Sequence, residues 1–326
     1  AGLIGKGKYM TSTNSGRYEQ LIKDYQTEYR PQREWSEGRG FFLILGHFLV
    51  GIAAGAWLFG LFFQDLISLL AGFVLAGLGG LAHLANLARP ERFILMMLRT
   101  ATSWVSRGFW GLTLFLVGSV IYLPSLMFSD TFWQSDSVIA SAGVVFSIAG
   151  SIIMMAYMGF VYTASKAIAF WNSTLHPVLY ISYALRGGAA AYLLSLAFQG
   201  EAVSGGSDIL IFWIAVTVTV IVLWIFEIQG ALTSGEEAAV HSVHDILAGR
   251  LALYFYVGIL LIGLFVPVFL MAGIIAPLSP TLFALIGLTS VAGDFFMKFS
   301  SIKAGVFSPV RLYSGNNRRA TRRRKI

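Results

Sequence analysis

Eight long apolar stretches, separated by short polar connections, constrain this chain more than any other feature. A helix needs about 20 mostly apolar residues to cross the roughly 30 Å of hydrocarbon in a bilayer. The composition agrees, because only 12% of the 326 residues are charged, against about 25% in an ordinary soluble domain. We therefore predict an all-α integral membrane protein with eight transmembrane helices. The predicted spans are residues 41–63, 66–88, 108–128, 140–168, 178–199, 208–229, 251–274 and 281–300.

The basic residues lie on one side of the predicted bundle. An even number of spans places both termini on one face, which we call the N-face, together with the connections at residues 89–107, 169–177 and 230–250. All 23 Lys and Arg residues lie at or near this face, whereas the opposite connections contain Asp and Glu but no Lys or Arg. By the positive-inside rule, the N-face and both termini are predicted to be cytoplasmic.

The chain divides into three parts by composition. Residues 1–40 are polar and contain no apolar run that could serve as a signal peptide, and residues 17–30 are typical of a short helix on the membrane surface or of a strap on a partner subunit. Residues 41–300 form the membrane domain. Residues 301–326 form a basic tail, which we expect to be held by anionic membrane lipid rather than by nucleic acid.

The absence of cysteine restricts any redox role. A chain with no Cys cannot hold an iron-sulfur cluster, a c-type haem, a thiolate-ligated zinc or a disulfide. A two-haem cytochrome b needs four axial His spread over both halves of the bilayer, and the five His of this chain do not provide them. A single haem between His47 and His83 stays open as an alternative.

Ionisable residues inside spans are costly, and each is a candidate for a site. Lys166 and Arg186 are expected to reach the N-face interface with their long side chains. Glu227 and Asp294 are candidates for a proton path, with structural pairing as the alternative. His47 and His83 could bind the carbonyl of a buried ligand or form an ordinary interhelical hydrogen bond.

The connection between the second and third spans is the most informative segment. It reads RPERF at residues 89–93 and TSWVSRG at residues 102–108. Pro90 cannot continue a helix without cost and predicts a turn. Because Ser, Thr, Trp and Asn are interleaved with the Arg residues, the segment is suited to docking a protein surface or ordering a quinone head group.

This connection resembles that of the polysulfide reductase, nitrite reductase NrfD and dimethyl sulfoxide reductase anchor superfamily, in which an RPxRF turn is followed by TSWxSRG. A second similarity lies in the fourth span, where Tyr157-Met-Gly159 is followed by Trp171-Asn172. The resemblance covers about residues 41–300. It implies a bacterial or archaeal cytoplasmic membrane protein whose eight helices form two four-helix bundles.

The resemblance also implies a function and partners. Such a subunit is not catalytic alone, holds no haem or iron-sulfur cluster, and binds a quinone, either menaquinone or ubiquinone. It exchanges electrons with a four-cluster ferredoxin-like iron-sulfur subunit, which serves a large molybdopterin catalytic subunit with Mo or W. Since the N-face is predicted to be cytoplasmic, the expected partner is an inward-facing molybdoenzyme of the sulfite-oxidising type.

Residues of this sequence can be matched to the motifs of the superfamily. Tyr157 matches its quinone-contacting tyrosine, Arg92 matches the arginine of its turn, and His47 falls near its polar first-span position. The chain departs from the pattern at Asn86 and Gly108, where dimethyl sulfoxide reductase anchors tend to have His and Glu. The expected quinone site comprises Tyr157, His47, His83, Asn86, Arg92 and Trp104. The expected docking residues are Arg89, Glu91, Arg99 and Arg107, and no metal ligands are expected.

Two other classes of function compete with this hypothesis. A transporter or ion-translocating module with eight spans usually has substrate-lining polar residues deep in both halves and broken helices at the midplane. Here the candidate ionisable residues gather toward the N-face, which disfavours it. A single-haem cytochrome b anchor is the second alternative.

Overall fold

The computed structural model describes residues 12–200, 206–272 and 279–308, and its regular elements there are helices with two isolated β-bridges. Eight helices are long and apolar enough to cross a membrane. This confirms the prediction of an all-α membrane protein with eight spans. The spans, numbered first to eighth, are Gly40–Phe62, Leu66–Asn86, Trp104–Met127, Val138–Thr163, His176–Gln199, Gly206–Thr233, Tyr254–Ala272 and Pro280–Lys303. Shorter helices are Ser12–Gln26, Pro90–Arg92, Phe93–Met97, Ala169–Trp171 and Glu237–Leu247.

The fourth span ends earlier than predicted, at Thr163, and this changes the position of one candidate residue. The chain then turns, with the Ser165 N–H donating to the Tyr162 carbonyl at 2.8 Å. Lys166 lies in this turn with its side chain exposed. The prediction that Lys166 lies inside the fourth span was therefore wrong. A cation just beyond a helix end needs no buried partner.

Polar side chains fix the start of three spans on the face opposite the N-face. In each case the residue before the span accepts a hydrogen bond from the main-chain N–H three residues later, which satisfies a donor that the helix leaves free. The three residues are Asp65, Ser137 and Ser279, with distances of 2.9, 3.2 and 3.2 Å. These caps give the three helices defined starts.

The first and fifth spans lie at the centre of the bundle. Within their most apolar windows 67% and 72% of the residues are buried, against 22–44% in the other six spans. The first span packs on the second and fourth, the fifth packs on the sixth and eighth, and the two central spans pack on each other. Because the contact between the central spans is as extensive as many contacts within each half, the division into two four-helix bundles stays a prediction.

The central crossing depends on two glycines. Gly55 of the first span faces Gly188 of the fifth span, and a Cβ atom at either position would collide with the main chain of the other helix. Small residues let membrane helices approach closely. Close packing then stabilises their association, because burial from lipid provides no hydrophobic driving force. The crossing therefore requires glycine at both positions.

The N-terminal segment is attached to the far end of the described chain. The Gln32 N–H donates to the Gly305 carbonyl at 2.7 Å, and residues 31 and 306 form an isolated bridge. The Arg33 guanidinium pairs with Asp24 at 2.7 Å. Burial opposes ionisation of Asp24, but hydrogen bonds from Arg33 and Gln20 outweigh it and lower the pKa of this carboxyl. The segment thus lies on the N-face of its own chain, while the basic run at residues 318–326 lies outside the described residues.

Replacing Gly188 by Leu should destabilise the protein, because the side chain would have to displace the first span. Overpacking of this kind costs about 1–3 kcal/mol or more. The matched control is Gly77→Leu in the second span, where a Cβ would meet no atom within 4 Å. We expect a Tm several degrees lower for the Gly188 variant only, measured by tryptophan fluorescence in detergent. Equal Tm values for the two variants would show that the central crossing is not tight.

Candidate functional site

A cavity opens between the N-face halves of the first four spans. Its volume is about 390 Å³, within the usual range for small-molecule sites. Apolar side chains form most of its wall. The spans contribute the polar groups of His47, His83, Asn86 and Tyr157, and Glu34 adds a carboxylate. Four of the six residues expected in the quinone site therefore line one cavity, although they come from three different spans.

The polar groups of the cavity are joined in pairs. The Tyr157 hydroxyl lies 3.1 Å from Nε2 of His83, and the Tyr162 hydroxyl lies 2.7 Å from Nδ1 of His47. The two imidazole rings are 5.1 Å apart, and Tyr157 lies 5.6 Å from His47. Each histidine is thus oriented by a tyrosine of the fourth span. Buried polar groups in hydrocarbon need such partners.

Glycines provide the space that these rings occupy. A Cβ on Gly46 would lie 2.8 Å from the His83 imidazole, and a Cβ on Gly108 would collide with the Tyr157 ring. Gly108 is one of the two positions at which the resemblance described above predicts a different residue in dimethyl sulfoxide reductase anchors. A glutamate there is incompatible with Tyr157 in its present place. The departure at Gly108 is therefore tied to the position of the tyrosine.

The arrangement does not fit a haem between His47 and His83. An axial pair must direct one nitrogen from each ring to an iron that lies between them. Here the ring centroids are only 5.1 Å apart, which leaves no space between them for a porphyrin and its iron. Across residues 12–200, 206–272 and 279–308, no group of three or more His, Cys, Asp or Glu residues could hold a metal ion.

Arg92 and Trp104, the other two residues expected in the quinone site, lie beside the cavity rather than on its wall. Arg92 is exposed in the turn that follows Pro90. Trp104 stacks on Phe160 with ring centres 4.2 Å apart, and the Arg107 guanidinium lies over the Trp104 ring. A direct part for Arg92 and Trp104 in binding stays a prediction.

The expected docking residues lie at the N-face end of the same half. Arg89, Glu91 and Arg99 are exposed. Arg107 instead donates to the main-chain carbonyls of Thr100 and Ala101 at 2.8 and 3.0 Å, so it holds the connection in shape. Ile94, Leu95 and Leu98 are exposed beside them. The surface therefore combines positive charge with an apolar strip.

A second polar cluster lies near the middle of the other half. Arg186 is about 15 Å from the start of its helix at 1.5 Å per residue. It is only 3% exposed and forms a buried ion pair with Asp294. Its other nitrogens donate to Thr217 at 2.9 Å and to the Gly263 carbonyl. The prediction that Arg186 reaches the interface was therefore wrong, because these acceptors satisfy the guanidinium within the bundle.

Lys298 connects the two polar clusters. Its ammonium is 2% exposed and donates to the main-chain carbonyl of His47 at 2.8 Å. It lies one helical turn after Asp294 on the eighth span. A Cβ on Gly51 would lie 2.9 Å from the Lys298 nitrogen, so this glycine provides its space. A buried lysine therefore stands between the cavity and the ion pair.

Glu227 lies at the N-face end of the sixth span and is buried. Its carboxylate accepts a hydrogen bond from the Ser173 hydroxyl at 2.9 Å and lies 3.1 Å from Nδ1 of His176. It does not pair with Lys166 or Arg186, the cations considered for it from the sequence. The ring of His176 is 6.5 Å from that of Tyr162. Glu227 is therefore linked to the cavity through aromatic residues.

Sequence reasoning missed four contributors to the site. Tyr162 carries no motif of its own, although it lies on the same helix as Tyr157. Lys298 was counted among the N-face cations because it lies close to the end of the eighth span. Glu34 and Trp35 also line the cavity, from a segment about which hydropathy gives no tertiary information.

Comparison with known proteins identifies the family of the chain. No curated protein matches the chain. The protein family described as "Polysulphide reductase, NrfD" matches residues 39–309, more than four fifths of the 326 residues, including all eight spans and every residue of the cavity except Glu34 and Trp35. The chain therefore belongs to the polysulphide reductase NrfD family.

Proposed function

We propose that this chain is the quinone-binding membrane subunit of a respiratory oxidoreductase complex. The observation that carries the proposal is the apolar cavity in which Tyr157, His83 and His47 meet. Quinones are flat, apolar molecules with two carbonyl oxygens, and they need hydrogen-bond donors in an otherwise oily site. Tyr157, His83 and His47 supply such donors within the cavity, and family membership supports the same assignment. The quinone is menaquinone or ubiquinone.

The residues of the cavity have separate parts in this proposal. The Tyr157 hydroxyl donates to one quinone oxygen, and His83 holds the tyrosine and exchanges its proton. His47 donates to the other oxygen, and Tyr162 fixes its ring. Asn86, with Arg92 and Trp104 at the rim, orients the head group. Interconversion of quinone and quinol moves two electrons and two protons, and the electrons pass to or from a partner's metal centres because this chain has no Cys.

The proposed partners dock on the N-face. The cavity lies in the N-face half of the bundle, so a metal centre bound there is closer than one on the opposite face. Arg89, Glu91, Arg99 and Arg107 would contact a four-cluster ferredoxin-like subunit, which serves a molybdopterin enzyme with Mo or W. The one-sided distribution of Lys and Arg favours a cytoplasmic N-face in a bacterial or archaeal inner membrane. Quinone reduction by an inward-facing enzyme is the direction that we propose.

Glu227 and Asp294 are proposed to carry protons to or from the cavity. Lys298 joins the His47 carbonyl to the turn that holds Asp294, and Glu227 approaches Tyr162 through His176. Both carboxylates are buried, so each can hold a proton away from bulk water. Ionisable groups at such positions commonly form proton relays.

Replacing Tyr157 by Phe should impair quinone chemistry without unfolding the protein. Loss of one hydrogen bond to the quinone should lower kcat/KM for a soluble quinol analogue by about tenfold, since each 1.4 kcal/mol is a factor of ten. The purified complex should be assayed with Tyr122→Phe as the control, a half-buried tyrosine outside the cavity. If the Tyr157 variant kept wild-type kinetics, the cavity would not be the quinone site.

Reversing two exposed charges should weaken docking. An Arg89→Glu/Arg99→Glu variant would place two negative charges where the proposed partner meets two positive ones, and we expect about tenfold less iron to co-purify. The control is Asp130→Lys, an exposed charge reversal on the opposite face. If only the Asp130→Lys control lost the iron, the partner would have to dock on the opposite face, and the proposed docking surface would be wrong.

Replacing both members of the buried ion pair should separate folding from proton transfer. An Arg186→Met/Asp294→Leu variant removes both charges of the pair, so neither member is left buried without the other and the protein should fold. Proton release during quinol oxidation, followed with a pH-sensitive dye, should nevertheless fall by about tenfold if Asp294 carries protons. An unchanged rate in this folded variant would assign the pair a structural part only.

A further inference from the structure

The inner polar groups of the cavity are closed off from water. His47, His83 and Tyr157 are 2%, 8% and 6% exposed. A quinone reaction exchanges two protons with the surroundings, so the cavity needs a group that contacts both its interior and water. Among the described residues that line the cavity, Glu34 is the carboxylate that meets this requirement.

Glu34 reaches the cavity from the N-terminal segment rather than from a span. Its side chain is 48% exposed, and the residue also lies on the cavity wall. One carboxylate oxygen forms an ion pair with the Arg30 guanidinium at 3.1 Å. The other accepts a hydrogen bond from the main-chain N–H of Arg33 at 3.2 Å. The carboxylate is therefore held at the rim of the cavity with open access to water.

The surrounding structure fixes the segment that carries Glu34. Trp35 packs its ring 5.1 Å from Trp171 and 5.8 Å from Tyr162, the tyrosine that bonds His47. A Cβ on Gly40 would collide with the main chain of Glu34, so the segment turns back tightly onto the first span. Together with the bond between Gln32 and Gly305, these contacts make the segment a roof over the cavity.

We propose that Glu34 passes protons between the cavity and water on the N-face, an inference that rests on the proposed quinone function. In quinol oxidation both O–H bonds break, each proton moves in turn to the Glu34 carboxylate and then to water, and the two electrons pass to iron-sulfur centres of the partner. Quinone reduction runs in reverse. The charged and titratable groups around Glu34 are Arg30, Arg33 and Glu37 of its own segment and His47 and His83 across the cavity.

The route through Glu34 differs from the one through Asp294. It begins at the cavity wall and ends in water at the same face, and no span has to be crossed. The proton therefore returns to the N-face side. The buried carboxylates lie farther from water and could act in storage or in transfer across the bundle.

Glu34→Gln should slow proton transfer while leaving the site able to bind quinone. In the purified complex we expect kcat to fall by about tenfold or more, as for loss of an acid-base group, with little change in KM. The pH profile of kcat should lose the dependence due to this carboxylate. Formate at high concentration should restore the rate, because a small acid can enter the open rim, and Glu34→Asp should retain part of the activity.

Glu37→Gln is the matched control. Glu37 is three residues farther along the same segment, is partly exposed, pairs with Arg33 and Lys303, and does not line the cavity. We expect its variant to keep wild-type kcat and pH profile. A loss of activity in Glu34→Gln that formate does not restore, or an equal loss in the control, would assign Glu34 a structural part and overturn the inference.

The tests of Glu34 and Tyr157 separate the inference from the function on which it rests. Normal kinetics in Glu34→Gln, with impaired kinetics in Tyr157→Phe, would reject the proton route and keep the quinone site. Normal kinetics in both variants would reject both proposals. Both proposals would be supported if Glu34→Gln lost activity that formate restores and Tyr157→Phe also lost activity.

Discussion

The structure depends on one constraint, that hydrocarbon offers no water to solvate a polar group. A buried polar side chain there is costly unless it finds a hydrogen-bond partner, either in its own helix, as Ser119 does, or on another helix. Arg186 and Asp294 pair across the fifth and eighth spans, and the two histidines of the cavity each bond a tyrosine of the fourth span. These bonds fix how the spans are rotated relative to one another. The chemistry of the cavity is therefore part of what holds the bundle together.

Close approach of the helices makes such pairing feasible. Gly55 and Gly188 bring the central spans into main-chain contact, and Gly46 admits the His83 ring between the first and second spans. A larger residue at any of these positions would separate helices whose polar groups must meet. The small residues thus set the distances, and the hydrogen bonds set the orientation. Lys298 shows the combination, because Gly51 leaves room for its ammonium to reach the His47 carbonyl.

Much of this arrangement follows from the sequence. Hydropathy predicts the eight spans because a bilayer demands a long apolar helix, and motif similarity brings Tyr157, His47, His83 and Asn86 to one site. The sequence does not predict which side chains meet across different helices. Arg186 was expected at the interface because the local sequence does not show which acceptors on other spans lie at the same depth in the bundle. Glu34 was missed because nothing in a polar N-terminal segment indicates where it folds back.

The seventh span contains a long π-helix, Tyr254–Phe265, and the carbonyl that receives the Arg186 guanidinium belongs to Gly263 within it. Such irregular turns leave carbonyls less firmly committed to their own helix and are frequent at functional sites. The irregular backbone therefore provides one of the acceptors that satisfy the arginine within the bundle. A variant with regular winding here would remove that acceptor, and one that lost the arginine would leave Asp294 without its ion-pair partner. In evolution the two features should be inherited, or abandoned, together.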